Sequence, residues 1–516
     1  MDDSRPTRYG IQEVPRRGER VTRRALLKTA AATAGAAAIG GAAFGVDRMV
    51  AGGTARRPLP AFPVTQHGAT WRFTSRPDLR PPAVHTSGVV ESPGYLLLGP
   101  GSTAETSQEG PLVVGDDGEI VWFRPLAHGL WASNVAASTY RGRPVLAWWQ
   151  GKVIAPGFGQ GEAMIVDSAY KTVRRVHAGH GRQMDLHEFQ LTPQGTALFT
   201  CYPQTVATDL SAIGGPVDGQ VMESIFQEVD LSTGRVLLEW RSLDHIPVTD
   251  SYKPVGEPYD YLHVNSIDVA PDGNLLISAR HTWALYKVDR HTGEIMWRLG
   301  GKHSDFSLDR DAQFSWQHDA RMPSNSTISV FDDGSDGPQT TEKQSRGLVL
   351  AVDETARTVK VARSYRHPRS LLASAMGSVQ LLPDGNAFVG WGTAPFASEF
   401  RADGTLAADA RLPSPLYSYR ARRSPWRGMP AAAPDIAVRR TSHDAHPTVY
   451  ASWNGATEVA RWTVHTGSSR RHLALVGSAA RRGFETAIRV DGARYVAVAA
   501  VDRTGGELAR STTIRL

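Results

Sequence analysis

Two turn signatures alternate along most of this chain, and they constrain its fold more than any other feature. One is seen in "LTPQGTALF" (191–199), "VAPDGNLLIS" (269–278) and "LLPDGNAFVG" (381–390). The other is seen in "DDGEIVWF" (116–123), "DLSTGRVLLEW" (230–240) and "DRHTGEIMWRLG" (289–300). Each puts a glycine where a hairpin needs φ > 0, between alternating or β-branched residues. The second type ends on a tryptophan each time: Trp122, Trp240 and Trp297. These tryptophans suit packing between repeats better than a binding platform. Hairpins that cannot bury a face alone, repeated at blade-like spacing, predict a β-propeller. An elongated array of sandwiches is the alternative. By length, about six blades of roughly 45–55 residues fit between residues 90 and 430.

The two ends differ from this body. "VYASWNGATEVARWTV" (449–464) and "RYVAVAAVDRTGGELARSTTIRL" (494–516) are long alternating strands around Asn-Gly and Gly-Gly turns. They predict a C-terminal β-sandwich of fibronectin type III kind over 431–516. A last propeller blade closed by the tail is the competing arrangement. The segment "SPLYSYRARRSPWRGMPAAAPD" (414–435) reads as a connector. At the other end, "TRRALLK" (22–28) precedes the soft apolar run "TAAATAGAAAIGGAAFGV". Paired arginines before a mildly apolar stretch read as a twin-arginine export signal over residues 1–55. The expected domains are therefore 1–55 signal, 56–430 propeller and 431–516 sandwich. The chain is expected outside the cytoplasm, in the envelope or beyond it. Membrane attachment would come only through an uncleaved signal, and the translocase would be a partner.

Charge argues against nucleic acid. The net charge of +6 rests partly on "RRGERVTRR", which has five arginines against one glutamate. The remaining body is close to balanced. Cys201 is the one cysteine. It allows no intrachain disulfide and no multi-cysteine metal site.

Polar residues cluster in three segments: "DLHEFQLTPQG" with Asp185 and His187, "YLHVNSIDVAPDG" with His263 and Asn265, and "FSWQHDARMP" with Trp316, His318, Asp319 and Arg321. "LLISARHTW" adds Arg280. His281 and His291 read as outward or turn residues. Strand residues i and i+2 share a face, so Asp185 with His187, and His263 with Asn265, project together. Separations of 76 and 55 residues place the three histidines in different blades. The innermost strand of each blade lines the central channel, so they would aim at one axis. A lone histidine before a turn more often bonds a nearby carbonyl; joint occurrence favours a site. Two chemistries suit the set. Three histidines can hold a divalent metal that activates water. Alternatively, a neutral imidazole is a nucleophile while Arg and Asn hold an anionic group. Arginine beside a cation is the less natural pairing. Asp332–Asp333 reads as a turn or a calcium loop.

These segments, together with "GSVQLLPDGNAFVGWGTAPFASEF", "FTSRPDLRPP" and "SWNGATEVARW", resemble the arylsulfotransferase family of bacteria and fungi. The resemblance spans about residues 70–516. It implies a six-bladed propeller that moves a sulfuryl group from a phenolic sulfate ester to another phenol. The family does this by a ping-pong sulfohistidine route, without a nucleotide sulfate donor. Carried over by motif, His318 is the nucleophile. His187, His263, Asn265 and Arg280 bind sulfuryl oxygens or shuttle a proton. Asn265 and Arg321 are the substrate-binding candidates, Asp319 and Arg321 hold the loop, and Trp316 packs beneath. No metal or cofactor is implied. The other two readings are an exported propeller that binds a glycan or protein without turnover, and a His-ligated metal hydrolase.

Overall fold

The computed structural model describes residues 57–64, 68–102, 107–154, 157–440 and 446–516. The export-signal reading falls on residues 1–55 and lies outside them.

The two turn signatures have distinct places in the fold. Gly195, Gly273 and Gly385 close hairpins between the first and second strands of a blade, with φ near +81°, +87° and +93°. Gly118, Gly234 and Gly293 close hairpins between the third and fourth strands. Between them they define antiparallel sheets. The second blade is Trp131–Tyr140, Arg143–Ile154, Phe158–Asp167 and Thr172–Val176; the third is Met184–Leu191, Thr196–Thr208, Gly219–Asp230 and Val236–Arg241. The fourth is Val264–Val269, Leu275–Ala279, Ala284–Val288 and Ile295–Gly300. The fifth starts at His318–Ser324 and the sixth at Ser378–Leu381. Contacts run from each first strand to the next, through Trp131–Tyr140, Met184–Leu191, Val264–Val269, His318–Ser324 and Ser378–Leu381.

The ring is closed by a segment that sequence assigns to a connector. Tyr417–Ser424 pairs antiparallel with Tyr95–Gly101, so Tyr417 lies opposite Gly101 and Ser424 opposite Tyr95. It is the innermost strand of the first blade, completed by Leu112–Val114 and Ile120–Phe123. Its residues Tyr419, Arg420 and Arg423 are buried. The fold is thus a six-bladed, all-β propeller.

Trp122, Trp240 and Trp297 are buried between blades, as the sequence suggests. Trp240 packs with Phe226 of its own blade and with Ile267 and Ile277 of the next. Its indole N–H donates to Gly293 O at 3.0 Å, tying the outer hairpin of the following blade to it. Burial of each such ring is worth about 1.5–3 kcal/mol or more.

After the propeller, Asp435–Arg439, Thr448–Ser452 and Glu485–Arg489 form one sheet, and Arg461–Gly467, Ala474–Ala480, Tyr495–Val501 and Glu507–Arg510 another. Val449, Trp462, Ile488 and Val498 belong to the core they share. The segment before the propeller contributes: Ala61–Pro63 pairs with Glu485–Arg489. Asn454 clamps this sandwich to the first blade by accepting from Phe123 N–H and donating to Phe123 O, at 3.0 and 2.9 Å.

Candidate active site

The inner strands do not keep a plain two-residue period at the channel. Register shifts fall between Ser133 and Ala136, Met184 and Phe189, Val264 and Ser266, His318 and Arg321, and Ser418 and Ala421. Asn134, His263 and Asp319 there have φ near +56° to +58°. Bulges at one height in five of the six inner strands re-aim side chains. Consecutive residues can then face the channel: His187 with Glu188, His318 with Asp319, Tyr419 with Arg420.

His187, His263 and His318 meet where the inner strands begin, and each has its own aspartate, buried for Asp185 and Asp333 and partly buried for Asp260. His187 Nδ1 lies 2.5 Å from Asp185 Oδ2, His263 Nδ1 2.6 Å from Asp260 Oδ2, and His318 Nδ1 2.7 Å from Asp333 Oδ2. The Nε2 atoms are therefore turned inward. Those of His187 and His263 are 3.0 Å apart. The rings of His187 and His318 both stand edge-on to Tyr419, at 5.7 and 6.2 Å. The Met376 N–H points at His318 Nε2, 3.2 Å away, so that nitrogen carries the lone pair and Nδ1 the proton.

Burial decides the charges. It pushes His318 well below the usual imidazole range, and the cationic Arg280 adds to the shift. The imidazole is neutral at pH 7. Burial also pushes Asp333 well above the carboxylate range. Asp185 and Asp260 behave oppositely. Burial would raise both, but the facing imidazoles outweigh it and hold them low, His187 for Asp185 and His263 for Asp260.

Arg280 lies over Trp316, 5.3 Å from the ring. It donates to His281 Nε2 at 3.1 Å and to Ser374 O at 2.6 Å, and its Nε is buried without a protein partner. Asn265 donates through Nδ2 to Gln317 O at 2.6 Å, leaving Oδ1 buried and unpartnered. The group Asn265 leaves free is thus an acceptor.

Arg321 does not join this cluster. It donates to Glu188 Oε2 at 2.7 Å, to Asp319 Oδ1 at 2.7–2.9 Å and to Ile267 O at 2.9 Å, further along the channel. Asp319 also accepts from Arg422 at 2.7 Å and Val379 N–H at 3.3 Å. Its role in holding the loop fits these bonds. Trp316 packs under Arg280 and stands edge-on to His281 and Trp283.

Four residues were missed or misread in sequence. His281 reads as an outward or turn residue; it stands in a turn but is buried, donating from Nδ1 to Asp260 O at 2.6 Å. Its adjacency to Arg280 was the available signal. Asp260 stands three residues before His263, a spacing that a strand reading hides; the residues between them are irregular. Asp332 and Asp333 are no turn. Asp332 ends a strand and accepts from Arg346 at 2.8 Å, and Asp333 holds His318. Asp260, His263 and His281 offer ligand atoms within 4.8 Å of one another, enough for a cation, although their Nδ1 atoms already engage Asp260 and Arg280 stands alongside.

Residues 137–412, just over half of the chain, match the family model described as Arylsulfotransferase (ASST). No curated protein matches the chain. Among solved structures, a protein of unknown function from Bacteroides caccae aligns at 14% identity over 64% of this chain and 98% of its own, with a TM-score of 0.40. A catalytically inactive virginiamycin B lyase from Staphylococcus aureus aligns at 8% identity over 79% of this chain and 99% of its own, with a TM-score of 0.34. At such scores neither likeness bears on function.

Proposed function

The chain belongs to the arylsulfotransferase family, and from that premise we propose that it transfers a sulfuryl group between phenols through a covalent intermediate on His318 Nε2. The observation that carries this reading is the trio of histidine–aspartate pairs turning three Nε2 atoms inward. His318 is the nucleophile because its Nε2 lone pair is free of any proton and its ring is neutral.

The protons follow from the geometry. With Asp185 and Asp260 ionised, both facing Nδ1 atoms carry protons. Two Nε2 atoms 3.0 Å apart then need one further proton between them. Burial lowers His263, so a proton placed between the two rings is readily given up. In the first half-reaction the N–S bond forms as the S–O(aryl) bond breaks. The electron pair leaves on the phenolate, whose free pKa is about 10, and the shared proton neutralises it. The Nδ1 proton of His318 moves towards Asp333, which leaves the sulfated ring uncharged. In the second half the acceptor phenol gives its proton to the pair and its oxygen bonds sulfur as the N–S bond breaks; the electron pair returns to Nε2 and Asp333 returns the proton to Nδ1, restoring neutral His318. Arg280 stabilises the charge on the outer sulfuryl oxygens of a loose transition state. Ser374 O and Met376 N–H occupy Arg280 and His318 in this structure, so their segment gives way when substrate enters.

A chromogenic aryl sulfate without acceptor tests the reading. It should release up to one phenol per chain and leave an acid-labile sulfated protein that a second phenol discharges. Steady release of free sulfate, lost on chelation, would instead support a cation held by Asp260, His263 and His281. No turnover would support a binding propeller. Substrate identity and export by the twin-arginine route belong to the same proposal. Recovery of the tagged protein outside the cytoplasm of its native host checks the latter.

A further inference from the structure

The channel has a second chamber. A cavity of about 380 Å³ is lined by residues further along the inner strands, including Asn134, Glu188, Asp268, Arg321, Arg420 and Arg422. None of the three histidines lines it. Tyr419, which donates to Asn265 O at 3.2 Å, stands between the histidines and this chamber.

Its three arginines are not alike. Arg321 is bound to Glu188, Asp319 and Ile267 O. Arg420 donates to Asn134 Oδ1, to both oxygens of Glu188 and to Asn265 O, at 2.6–3.1 Å. Arg422 makes a single hydrogen bond, Nη2 to Asp319 Oδ1. The rest of its planar donor fork has no protein partner and lies in the cavity wall. Two carboxylates face the three guanidiniums closely. Burial would raise Glu188, but Arg321 and Arg420 outweigh it; Asp319 is held low in the same way, by Arg422 foremost. The third acid, Asp268, lies 3.7 Å from Arg321, and burial pushes it up. A cavity wall that carries an open guanidinium fork recruits an oxyanion. The cavity is far larger than a bare tetrahedral anion, and Val135, Leu191 and Leu381 add apolar surface to it.

We propose that this chamber is a second binding site, which takes a small organic anion by seating its carboxylate or sulfo head on Arg422 and its apolar body against Val135, Leu191 and Leu381. The inference stands apart from the sulfuryl-transfer reading, since it uses none of the groups that reading needs.

The test is calorimetric titration of the full chain with benzoate, and in a second arm with benzenesulfonate. A His318→Ala, Arg280→Met background removes the main anion-binding groups of the histidine end. Saturable binding is expected there, and adding Arg422→Met should weaken it about tenfold or more through loss of a charge-assisted pair. The tighter arm identifies the preferred head group. Ala136→Leu, which adds bulk inside the cavity without touching an ion pair, should weaken it too, and serves if Arg422→Met does not fold. Absence of saturable heat from both anions, or an affinity that neither substitution alters, overturns the proposal.

Discussion

The two ends of the central channel are built from the same inner strands and even from neighbouring residues, yet they treat charge in opposite ways. At the histidine end the rings are neutral or share one proton, and several polar atoms stay unmatched: Arg280 Nε, Asn265 Oδ1 and Asp333 Oδ1. At the other end Glu188, Asp319, Arg321 and Arg420 are permanently charged and bound to one another. Unmatched buried groups cost about 1–3 kcal/mol each, so a protein keeps them where a ligand will meet them. The ion-paired network ties together the inner strands of all six blades; the unmatched groups are held ready for chemistry.

Substitutions at the two ends should therefore fail differently. The largest effect is expected from His318→Ala, which removes the nucleophile. The burst of phenol should vanish and transfer should fall by on the order of 10⁴-fold or more, with circular dichroism and melting close to wild type. A full burst from this variant would move the nucleophile to His187 or His263. Next comes Glu188→Ala, whose neighbour in sequence is His187 but whose partners are Arg321 and Arg420. Leaving two guanidiniums buried without it should destabilise the fold by about 3–5 kcal/mol in denaturant titration. If stability is unchanged while transfer collapses, the division between the ends is wrong.

Arg280→Ala should slow the burst by about 10²–10³-fold with a much smaller loss of stability, as for one lost oxyanion donor. The smallest effect is one of pH. An ordinary histidine, with a pKa near 6.5, would lose about threefold in neutral fraction between pH 7 and pH 6. His318 is depressed well below that value, so its neutral form persists through this window. The burst rate should change by less than about twofold there. The same depression has a sign for stability. The unfolded chain takes up a proton near pH 6.5 where the folded one does not, so the contribution of His318 is present above that pH and declines as pH falls below it. A burst that titrates at pH 6.5 would mean that the ring is reached by solvent.

The periodic parts of the molecule were legible because their causes are local. A glycine with φ > 0 between alternating residues specifies a hairpin wherever it occurs, and three copies of two such turns suffice for a propeller. Tyr417–Ser424 was not legible as a strand of the first blade, because its partner lies at Tyr95–Gly101 and its arginines look like surface residues until buried acids are placed against them. The site was half legible. His187, His263, His318, Asn265 and Arg280 share a phase in the repeat; His187 and His263 meet at Nε2, and His187 and His318 both stand against Tyr419. Arg321 shares a segment with His318 but is carried to the other chamber by the bulge between them. Asp260 and His281 were hidden because they lie in irregular or edge positions, where no period assigns a direction.

The closing strand also sets when the site can exist. Tyr419, the wall between the two chambers, and Arg420 and Arg422 all arrive on Tyr417–Ser424, after every histidine of the site has been synthesised. Until that strand reaches Tyr95–Gly101, the ring is an open arc and its polar centre is wet. Pairing the two ends of so long a segment makes ring closure a late, non-local event. A chain ending before residue 417 would carry all three imidazoles and no enclosure for them, so competence for transfer should switch on with closure of the circle and not grow blade by blade.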